Sequence, residues 1–467
     1  MEGIEGLPVL DNMTTTTALG SYDRDYRTEG YLSKLDYSYK SKYILSASFR
    51  YDGSSRFHPD YRWGKFWSVS GAYNIDREKF FKVKWIDNLK IRGSYGEVGN
   101  DRTGSYFTYM NLYTLGYDNG SEPGMIFTQL GNDRLRWETN FNADLAIEVS
   151  AFKNRFGATV EAFRRQSKNL LFDINMPLTS GVLTRDDNFG SMRNQGIELQ
   201  LNGVPVKTKS FNWSVVFNAT TLENKIMSLP DSYVDRQNGT KRYNVGRSLY
   251  DYWLYDFVMV NPNNGANLYR PVDKLTATNR VIINGDTLTS GTANAQYYYA
   301  GSAIPDFFGS INNTFTYKNW SLQALVIYQI GGYTYDNDYQ SLMFRGSTSA
   351  TSNGRAMHKD MLTRWQKPGD ISTVNKVDIT ASYLSQSDRW LTSSNYLNLR
   401  TVALTYSFPK KTVARLKLAN AKAYVNGENL FITSKRRGLD PTQTYTGSAS
   451  YTYAPSRIVS FGLNLTL

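Results

Sequence analysis

The sequence ends with Ser456-Arg-Ile-Val-Ser-Phe-Gly-Leu-Asn-Leu-Thr-Leu467, a stretch in which apolar and polar residues alternate. Successive side chains of a β-strand point to opposite faces, so this stretch predicts a strand with one apolar and one polar face. The chain ends on the apolar face, as strands of outer-membrane barrels do. The apolar face carries Val459, Phe461, Leu463, Leu465 and Leu467, and the polar face carries Ser460, Gly462, Asn464 and Thr466.

The same two-residue period recurs along the chain and predicts thirteen strands. Segments 141–149, 211–219 and 320–330 alternate cleanly. In segment 395–407 the apolar set changes face near Arg400, which predicts a β-bulge or a shifted strand edge. The predicted strands are 30–39, 43–52, 64–75, 88–97, 136–150, 155–167, 192–203, 211–223, 306–317, 319–331, 395–407, 420–433 and 456–467.

The composition excludes membrane-spanning helices but is typical of a transmembrane barrel. The 467 residues have a mean hydropathy of −0.48 and no run of about eighteen apolar residues, which a spanning helix needs. Aromatic residues make up 14% of the chain, with 35 Tyr, 23 Phe and 9 Trp. Because Tyr and Trp favour the bilayer interface, this content indicates aromatic belts at two membrane surfaces.

The formal net charge of +12 leaves three kinds of partner open, namely nucleic acid, anionic lipid and an acidic substrate. Lys and Arg are spread singly rather than in a basic helix or a long basic run, so no nucleic-acid partner is expected. Contact with outer-membrane lipid and a lumen lined by Lys and Arg explain the charge equally well. The chain has no Cys, which excludes disulfides, thiolate metal sites and Cys nucleophiles.

The connections between predicted strands alternate in length. Outer-membrane barrels have short periplasmic turns and long external loops, so the alternation predicts a multi-pass β-barrel in the cell outer membrane. We expect ligand contacts in the long extracellular loops 98–135, 224–305 and 332–394. Counted from the C-terminus, the short links are 408–419, 318, 204–210, 151–154, 76–87 and 40–42, and the long links are 434–455, 332–394, 224–305, 168–191, 98–135 and 53–63.

The strand count and the N-terminus predict that the barrel continues upstream. Closed bacterial barrels have even strand numbers, and an open edge in lipid leaves backbone groups unsatisfied at several kcal/mol each. The first residues, Met1-Glu-Gly-Ile-Glu-Gly-Leu-Pro8, lack the basic and apolar regions of a signal peptide. We therefore expect residues 30–467 to be the C-terminal portion of a larger barrel, and residues 1–29 an external loop or an incomplete upstream segment.

Six blocks of sequence resemble the C-terminal half of the SusC/RagA family of TonB-dependent outer-membrane transporters. They occur in family order from residue 30 to the end, which makes the resemblance specific. The blocks are Tyr51-Asp-Gly-Ser-Ser-Arg-Phe57 with Arg62-Trp-Gly64, Leu89-Lys-Ile-Arg-Gly-Ser-Tyr-Gly-Glu-Val-Gly-Asn100, Leu135-Arg-Trp-Glu-Thr139, Gly190-Ser-Met-Arg-Asn-Gln-Gly-Ile-Glu-Leu199, Ser387-Asp-Arg-Trp390 with Tyr396-Leu-Asn-Leu399, and Tyr424-Val-Asn-Gly-Glu-Asn-Leu-Phe431 with Gly438-Leu-Asp-Pro441.

The blocks also have a plain architectural meaning. Arg92 and Glu198 fall on polar positions that face the lumen, and Trp137 and Trp390 are expected in an aromatic girdle near the outer rim. The resemblance implies an all-β, antiparallel barrel of about twenty-two strands around an N-terminal plug domain, which is absent from this sequence. It further implies import of oligosaccharides or peptides, a SusD-like surface lipoprotein partner, and the TonB complex acting through the missing N-terminal part.

Two aromatic clusters in the long loops are candidates for glycan or peptide recognition. Sugars stack on aromatic faces and are fixed by planar polar groups, and both kinds of group occur near Tyr252-Trp253-Leu-Tyr255 and Tyr297-Tyr-Tyr299. The predicted substrate-binding residues are Tyr252, Trp253, Tyr255 and Tyr298. The competing interpretation is that these rings belong to the girdle or fill space between the loops and a lid, and their pattern favours it.

Catalysis finds little support, and no enzyme activity, cofactor or metal is predicted. The two histidines, His58 and His358, are far apart in loops, and no Gly-x-Ser-x-Gly motif is present. The pair Asp186-Asp187 suggests glycoside hydrolysis, but adjacent aspartates in a polar loop are usually solvated. Asn261-Pro-Asn-Asn-Gly265 offers oxygen ligands without the spaced carboxylates of a calcium loop. A stand-alone adhesin or carbohydrate-binding β-protein is the alternative to a transporter, and a secreted hydrolase is more distant.

Overall fold

Thirteen strands, each hydrogen-bonded antiparallel to its neighbour, form the continuous path of the fourteen-stranded main sheet in the computed structural model. The structure describes residues 25–274, 276–277, 279–343, 356–378, 384–449 and 452–467, so most of the predicted segment 1–29 lies outside the described residues. The strands of this wall are β1 Thr28–Tyr39, β2 Tyr43–Ser54, β3 Trp63–Asn74, β4 Ile86–Asn100, β5 Glu138–Ala151, β6 Phe156–Lys168, β7 Ser191–Lys207, β8 Phe211–Thr220, β9 Phe307–Tyr317, β10 Trp320–Ile330, β11 Tyr396–Ser407, β12 Asn420–Ser434 and β13 Ile458–Thr466.

All thirteen predicted strands are confirmed, and two details of the prediction are resolved. The bulge expected near Arg400 is present, because the pairing of β11 with β12 shifts register between Leu399 and Thr401. The predicted strand 211–223 is wrong at its end, since β8 stops at Thr220. A separate strand, Glu223–Ser228, then continues along β7.

The wall has one apolar face, as the alternation predicts. Leu145 and Ile147 on β5 and Val160 on β6 point outward, and about half of each side chain is exposed. In the register of the sheet, Ile147 lies opposite both Val160 and Ile91, so apolar residues follow one another across neighbouring strands. In a membrane this face would contact lipid, which requires no hydrogen-bond partner.

The opposite face of the wall is polar and internally paired. Nε of Arg92 on β4 lies 2.6 Å from a carboxylate oxygen of Glu148, and its guanidinium also lies 2.5 Å from Glu161. Lys90 completes the cluster at 3.3 Å from Glu148. The predicted polar-face position of Arg92 is confirmed, and basic groups on this face are offset by carboxylates.

Stacked aromatic rings lie near both ends of the wall strands. Tyr51 and Trp63 stack at 4.6 Å between ring centroids at the end that carries the long loops. Tyr43 and Tyr73 stack at 5.0 Å near the opposite end. The girdle position predicted for Trp390 is wrong, because this ring is 1% exposed and packs within the loops.

Short turns join the strands at one end of the wall, and longer connections join them at the other. Several turns contain residues with positive φ, among them Lys40, Ser41 and Lys318, which permits a reversal over very few residues. One pair departs from the predicted alternation, because the outer link 55–62 is shorter than the inner link 75–85. The outer connections otherwise carry nearly all of the remaining structure.

The long connections contain their own small sheets and short helices. Among the described residues, no helix is long and apolar enough to cross a membrane. The loop strands are Leu112–Leu115, Met125–Gln129, Leu171–Asn175, Thr184–Asn188, Gln237–Asn238, Lys241–Arg242, Asp251–Tyr255, Phe257–Val260, Asn267–Tyr269, Arg280–Ile283, Asp286–Ser290, Tyr297–Ser302, Tyr333–Tyr335 and Leu391–Ser393, with α-helices Asn337–Leu342 and Lys410–Arg415 and 3-10 turns Ile75–Arg77, Leu178–Ser180, Asp231–Tyr233, Lys359–Thr363, Asp388–Trp390 and Pro441–Gln443.

Candidate functional site

The four predicted ligand-binding residues lie on one pair of loop strands but on two different faces. Strand Asp251–Tyr255 pairs antiparallel with strand Tyr297–Ser302. Trp253 is opposite Tyr299 and Tyr255 is opposite Tyr297, so these four rings share one face. Tyr252 and Tyr298 alternate with them and belong to the other face. The sequence located the two aromatic clusters within a predicted long loop, but it predicted neither the strands that carry them nor their faces.

The inner face of this strand pair is the core of the loop assembly. Tyr252 and Leu254 are fully buried and pack in one cluster with Tyr335, Trp390 and Met361. These residues come from connections that are far apart in sequence. A ring without exposed surface cannot contact a ligand in this arrangement, so the structure places Tyr252 as a packing residue.

Tyr252 also links the loops by polar contacts. Its phenolic oxygen lies 2.5 Å from the carbonyl oxygen of Gly447 and 2.9 Å from that of Tyr333. Nζ of Lys241 lies 3.2 Å from the Tyr252 ring centroid and donates a hydrogen bond to the carbonyl of Tyr250. Burial lowers the pKa of Lys241 to about 7, against the opposing effect of Asp251.

The outer face of the strand pair combines aromatic rings with guanidinium groups. The rings of Trp253 and Tyr297 are parallel within 3°, with centroids 5.9 Å apart. Arg242 covers Trp253 at 4.3 Å from its ring. Arg247 covers Tyr299 at 4.2 Å. We call this surface the aromatic–arginine face, and it consists of Arg242, Arg247, Trp253, Tyr255, Tyr297 and Tyr299.

Such a face suits a ligand that has both flat apolar patches and oxygen acceptors. Its four rings and Arg242 are partly buried and Arg247 is exposed, so parts of the rings reach solvent. Guanidinium groups donate several hydrogen bonds in a plane, and aromatic rings accept stacking contacts. Arg242 is also paired with Asp235 at 2.7 Å, which fixes its orientation. The sequence did not predict that the two arginines join this surface, because they precede Trp253 by several residues.

Tyr298 has a structural partner instead of a place on this face. Its hydroxyl donates a 2.7 Å hydrogen bond to the Asp388 carboxylate, which also accepts from the backbone N–H of Phe257 at 3.0 Å. Burial raises the pKa of Asp388, although these hydrogen bonds lower it in part. Tyr298 therefore orders the loops beneath the aromatic–arginine face.

A second candidate site escaped the sequence analysis. A cavity of about 700 Å³ lies between the hairpin of residues 171–188 and the segment 226–249. Its wall includes Asp173, Asp186, Tyr233 and Arg236. Burial, followed by the facing carboxylate of Asp173, raises the pKa of Asp186 to about 7. The hairpin places Asp173 and Asp186, thirteen positions apart in sequence, opposite each other, so no local sequence pattern predicts their contact.

The aspartate pair noted in the sequence is not the pair that forms in the structure. Asp186 lies opposite Asp173 across the hairpin, whereas Asp187 makes an ion pair with Arg185 at 3.0 Å. Adjacent residues of a strand point to opposite faces, so Asp186 and Asp187 cannot act together on one bond. The arrangement expected of a glycosidase at these two positions is therefore absent.

The remaining polar motifs have structural partners. His58 and His358 each lie beside an aspartate of their own turn. The side-chain oxygen of Asn261 accepts a hydrogen bond from the backbone N–H of Asn263 and so stabilises a turn. Within the described part of the chain, no three His, Cys, Asp or Glu residues are grouped as metal ligands would be.

Comparison with known proteins gives these loops and strands their context. Residues 6–430 match the family model described as TonB dependent receptor-like, beta-barrel. This chain belongs to the TonB-dependent receptor β-barrel family. The wall strands are therefore those of a TonB-dependent receptor barrel in the cell outer membrane.

Curated relatives support the narrower resemblance to SusC. TonB-dependent receptor P39 of Formosa agariphila is 27% identical over 97% of this chain and 47% of its own length. TonB-dependent receptor SusC of Bacteroides thetaiotaomicron is 26% identical over 93% of this chain and 43% of its own length. The chain thus spans about half the length of the TonB-dependent receptors that it matches.

Solved structures show the same fold. The RagAB peptide transporter matches with a TM-score of 0.82 at 23% identity, over 94% of this chain and 48% of the matched chain. The open-open state of the RagAB peptide importer gives a TM-score of 0.83. The predicted SusC/RagA resemblance and the all-β barrel fold are confirmed. The two candidate sites lie in the long loops of this TonB-dependent receptor barrel.

Proposed function

We propose that this chain is the C-terminal barrel portion of a TonB-dependent transporter of the SusC/RagA type that imports oligosaccharides or peptides. The family match along most of the chain carries the proposal, together with the thirteen-stranded wall. The relatives are roughly twice as long as this chain. The native product is accordingly expected to contain upstream strands and a plug, with an intact mass near twice 53.1 kDa.

Two partners belong to the proposal. One is a surface lipoprotein like SusD, which would cover the extracellular loops. The other is the TonB complex, which would act on the N-terminal part of the native product. Support comes from the similarity to the SusC receptor and to the RagAB transporter, whose names describe a receptor and a peptide transporter. No catalytic role is proposed, and the relatives are named as receptors and transporters.

The aromatic–arginine face is the proposed ligand contact of the loops. Of the four ligand-binding residues predicted from the sequence, Trp253 and Tyr255 lie on this face. Arg242 and Tyr297 lie beside them. Stacking on these rings would hold a sugar ring or a peptide side chain, while the guanidinium would bond to hydroxyl, carboxylate or carbonyl oxygens. Tyr252 and Tyr298 would support this face from beneath.

Uptake by the native organism tests the proposal. The substitution pair Trp253→Ala and Tyr255→Ala is introduced at the chromosomal gene, and growth is followed on single oligosaccharides and on peptides. Loss of growth on one nutrient class, shared with a strain lacking TonB function, would support import and identify the class. The matched control is Trp67→Ala, which removes a ring on the lipid-facing side of β3.

Binding and uptake separate this proposal from the alternative of an adhesin. A transporter variant with a damaged face should lose both binding of the nutrient and growth on it. If the intact protein binds a glycan but its deletion leaves growth on every tested nutrient unchanged, the import proposal fails and a surface adhesin explains the loops. An intact native mass close to 53.1 kDa would contradict the plugged-transporter proposal directly.

A further inference from the structure

Four basic residues project from the outward face of the wall near its extracellular end. On β6, the outward positions run from Val160 through Ala162 to Arg164, Gln166 and Lys168, because alternate residues share a face. On β7 the outward positions run from Ile197 back through Gln195 to Arg193. Lys225 follows on the strand Glu223–Ser228. We call Arg164, Lys168, Arg193 and Lys225 the basic patch.

The register of the sheet groups these four side chains around Arg193. Lys225 lies directly opposite Arg193 on one side, and Gln166 lies directly opposite it on the other. Arg164 and Lys168 are each two residues from Gln166, so both are diagonal neighbours of Arg193. Directly opposed like charges destabilise a sheet, and diagonal neighbours remain within reach of long side chains.

The patch is short of neutralising carboxylates. Glu223 is the acidic side chain that contacts its members: it pairs with Lys225 and accepts a hydrogen bond from Gln195. Asp251 and Asp306 line the same surface cavity as Arg164 and Lys225. Arg164 donates to Gln166, and Lys168 lies over the ring of Phe141. Arg193 itself interacts electrostatically with the same Glu223. Four cations therefore share this one contacting carboxylate, and the patch keeps a net positive charge.

The basic groups on the polar face of the wall, in contrast to the basic patch, are paired with carboxylates. Lys90 and Arg92 are paired with Glu148, and Arg92 also contacts Glu161. Charge on that face is therefore balanced inside the protein. The excess positive charge of the patch instead faces the surroundings of the barrel.

The apolar residues of the same strands show where the patch lies relative to the lipid. Ile197, Leu199 and Leu201 form the outward apolar run of β7 below it. Arg193 lies four residues beyond Ile197, which is roughly 13 Å along a strand at about 3.3 Å per residue. The patch therefore lies at the upper edge of the apolar band, on the side of the long extracellular loops, where lipid headgroups meet the protein.

We propose that the basic patch binds the phosphate groups of an anionic glycolipid in the outer leaflet of the outer membrane. Guanidinium and ammonium groups bind phosphate through charge-assisted hydrogen bonds, and a guanidinium can do so with two parallel bonds. The acyl chains of the same lipid would lie along Ile197 and its apolar neighbours. Binding would offset the repulsion between Arg193 and Lys225 and would hold this part of the wall in a defined lipid contact.

The test compares lipid binding by the intact native protein and by variants with a damaged patch. The protein is purified from outer membranes in detergent and titrated with bisphosphorylated lipid A, and bound lipid is quantified by native mass spectrometry. The double variant Arg164→Gln and Arg193→Gln removes two cations but keeps polar side chains of similar reach. Its affinity is expected to fall about tenfold or more, because charge-assisted hydrogen bonds to phosphate are lost.

A matched control and a second lipid make the result specific. Arg165→Gln changes a neighbouring arginine of β6 that points to the opposite face, and its affinity should stay within about twofold of the wild type. Dephosphorylated lipid A should bind weakly to all variants. Equal binding of the two lipids, or an unchanged affinity in the double variant, would overturn the proposal.

A single substitution provides a second test in case the double variant does not assemble. Heat-dependent gel mobility reports whether each variant forms the barrel. If the double variant does not assemble, Lys168→Gln is measured in the same titration, because Lys168 is exposed and its removal leaves no buried group unpaired. A loss of affinity of about threefold or more for Lys168→Gln supports the phosphate site, and an unchanged affinity counts against it.

Discussion

The hydroxyl of Tyr298 donates a 2.7 Å hydrogen bond to Oδ2 of Asp388, although the two residues are 90 positions apart. Tyr298 belongs to the connection between β8 and β9, and Asp388 belongs to the connection between β10 and β11. Asp388 lies at the start of the 3-10 turn that ends with the buried Trp390. The bond therefore joins two external loops at the point where their shared core begins.

Replacing Tyr298 by Phe should loosen this junction. The Asp388 carboxylate is largely buried, and loss of one donor leaves it under-satisfied at a cost of about 1–3 kcal/mol. Faster hydrogen exchange is expected in the described segments 251–260 and 384–393, with unchanged exchange in the wall strands. Tyr317→Phe, at an exposed ring near the periplasmic end, is the control and should change neither segment.

The same junction should weaken as the pH rises. The pKa of Asp388 is raised in the folded loops, so the folded state holds this proton more tightly than the unfolded chain. Its contribution to stability is therefore lost as the pH increases from the ordinary carboxyl value through the raised value. The Tyr298 hydrogen bond lowers the pKa of Asp388. In Tyr298→Phe, the loss of loop stability should therefore occur at higher pH. An exchange profile that is flat over this range would contradict the assignment.

Lys241 should make the neighbouring loop strands more stable in alkaline solution. Its pKa is about 7 in the folded protein and 10.5 in the unfolded chain, so the unfolded state binds more protons between these values. Local opening of segment 237–255 should become less favourable as the pH rises from about 7 to about 10. Hydrogen exchange across this range measures the effect, and Lys241→Met should abolish the dependence.

A charge on the lipid face of β6 should be costly, and the adjacent position provides its control. Val160→Arg places a guanidinium between Ile147 and Leu199 on the outward face, at an expected cost of about 2–4 kcal/mol near the bilayer midplane. Thr159→Arg places the same group opposite Glu148 on the polar face and should be tolerated. The amount of assembled barrel in outer membranes and its unfolding midpoint report both effects. Equal assembly of the two variants would mean that the faces are reversed.

Trp390→Ala should disrupt the loops while leaving the wall intact. The indole is 1% exposed, packs on Tyr339 at 5.9 Å, and donates through Nε1 to the carbonyl of Ser385. Truncation of such a ring costs about 3–5 kcal/mol and leaves a cavity in the loop core. Limited proteolysis should cut the external loops of the variant rapidly. Resistance equal to that of the wild type would show that the loop core does not depend on this ring.

The wall could be predicted from sequence because its physical cause is local and periodic. Lipid on one side selects apolar residues at alternate positions, and this selection recurs on every strand from β1 to β13. Even the irregularity at Arg400 was visible as a change of face. The end of β8 was placed three residues too far, although the alternation already breaks at Thr220 and Thr221, which are both polar.

The loops could be predicted only in part, because their contacts depend on distant residues. The sequence identified Tyr252, Trp253, Tyr255 and Tyr298 from two aromatic clusters as candidate ligand contacts. The structure then divided them between the two faces of one strand pair. The pairing of Asp173 with Asp186 and the covering of Trp253 by Arg242 follow from chain reversals that no periodic pattern specifies. The position of Trp390 was misjudged for the same reason, since its partners are in other loops.

The contact between Tyr252 and the carbonyl of Gly447 spans 195 positions of the chain, and Arg436 adds an ion pair to Asp336 at 2.8 Å. The exterior of the protein is therefore a composite surface, built from segments that a linear peptide cannot reproduce. Antibodies raised against synthetic peptides of single loops should recognise the denatured chain better than the assembled barrel. Reagents meant to label this protein on living cells should instead be selected on the folded molecule.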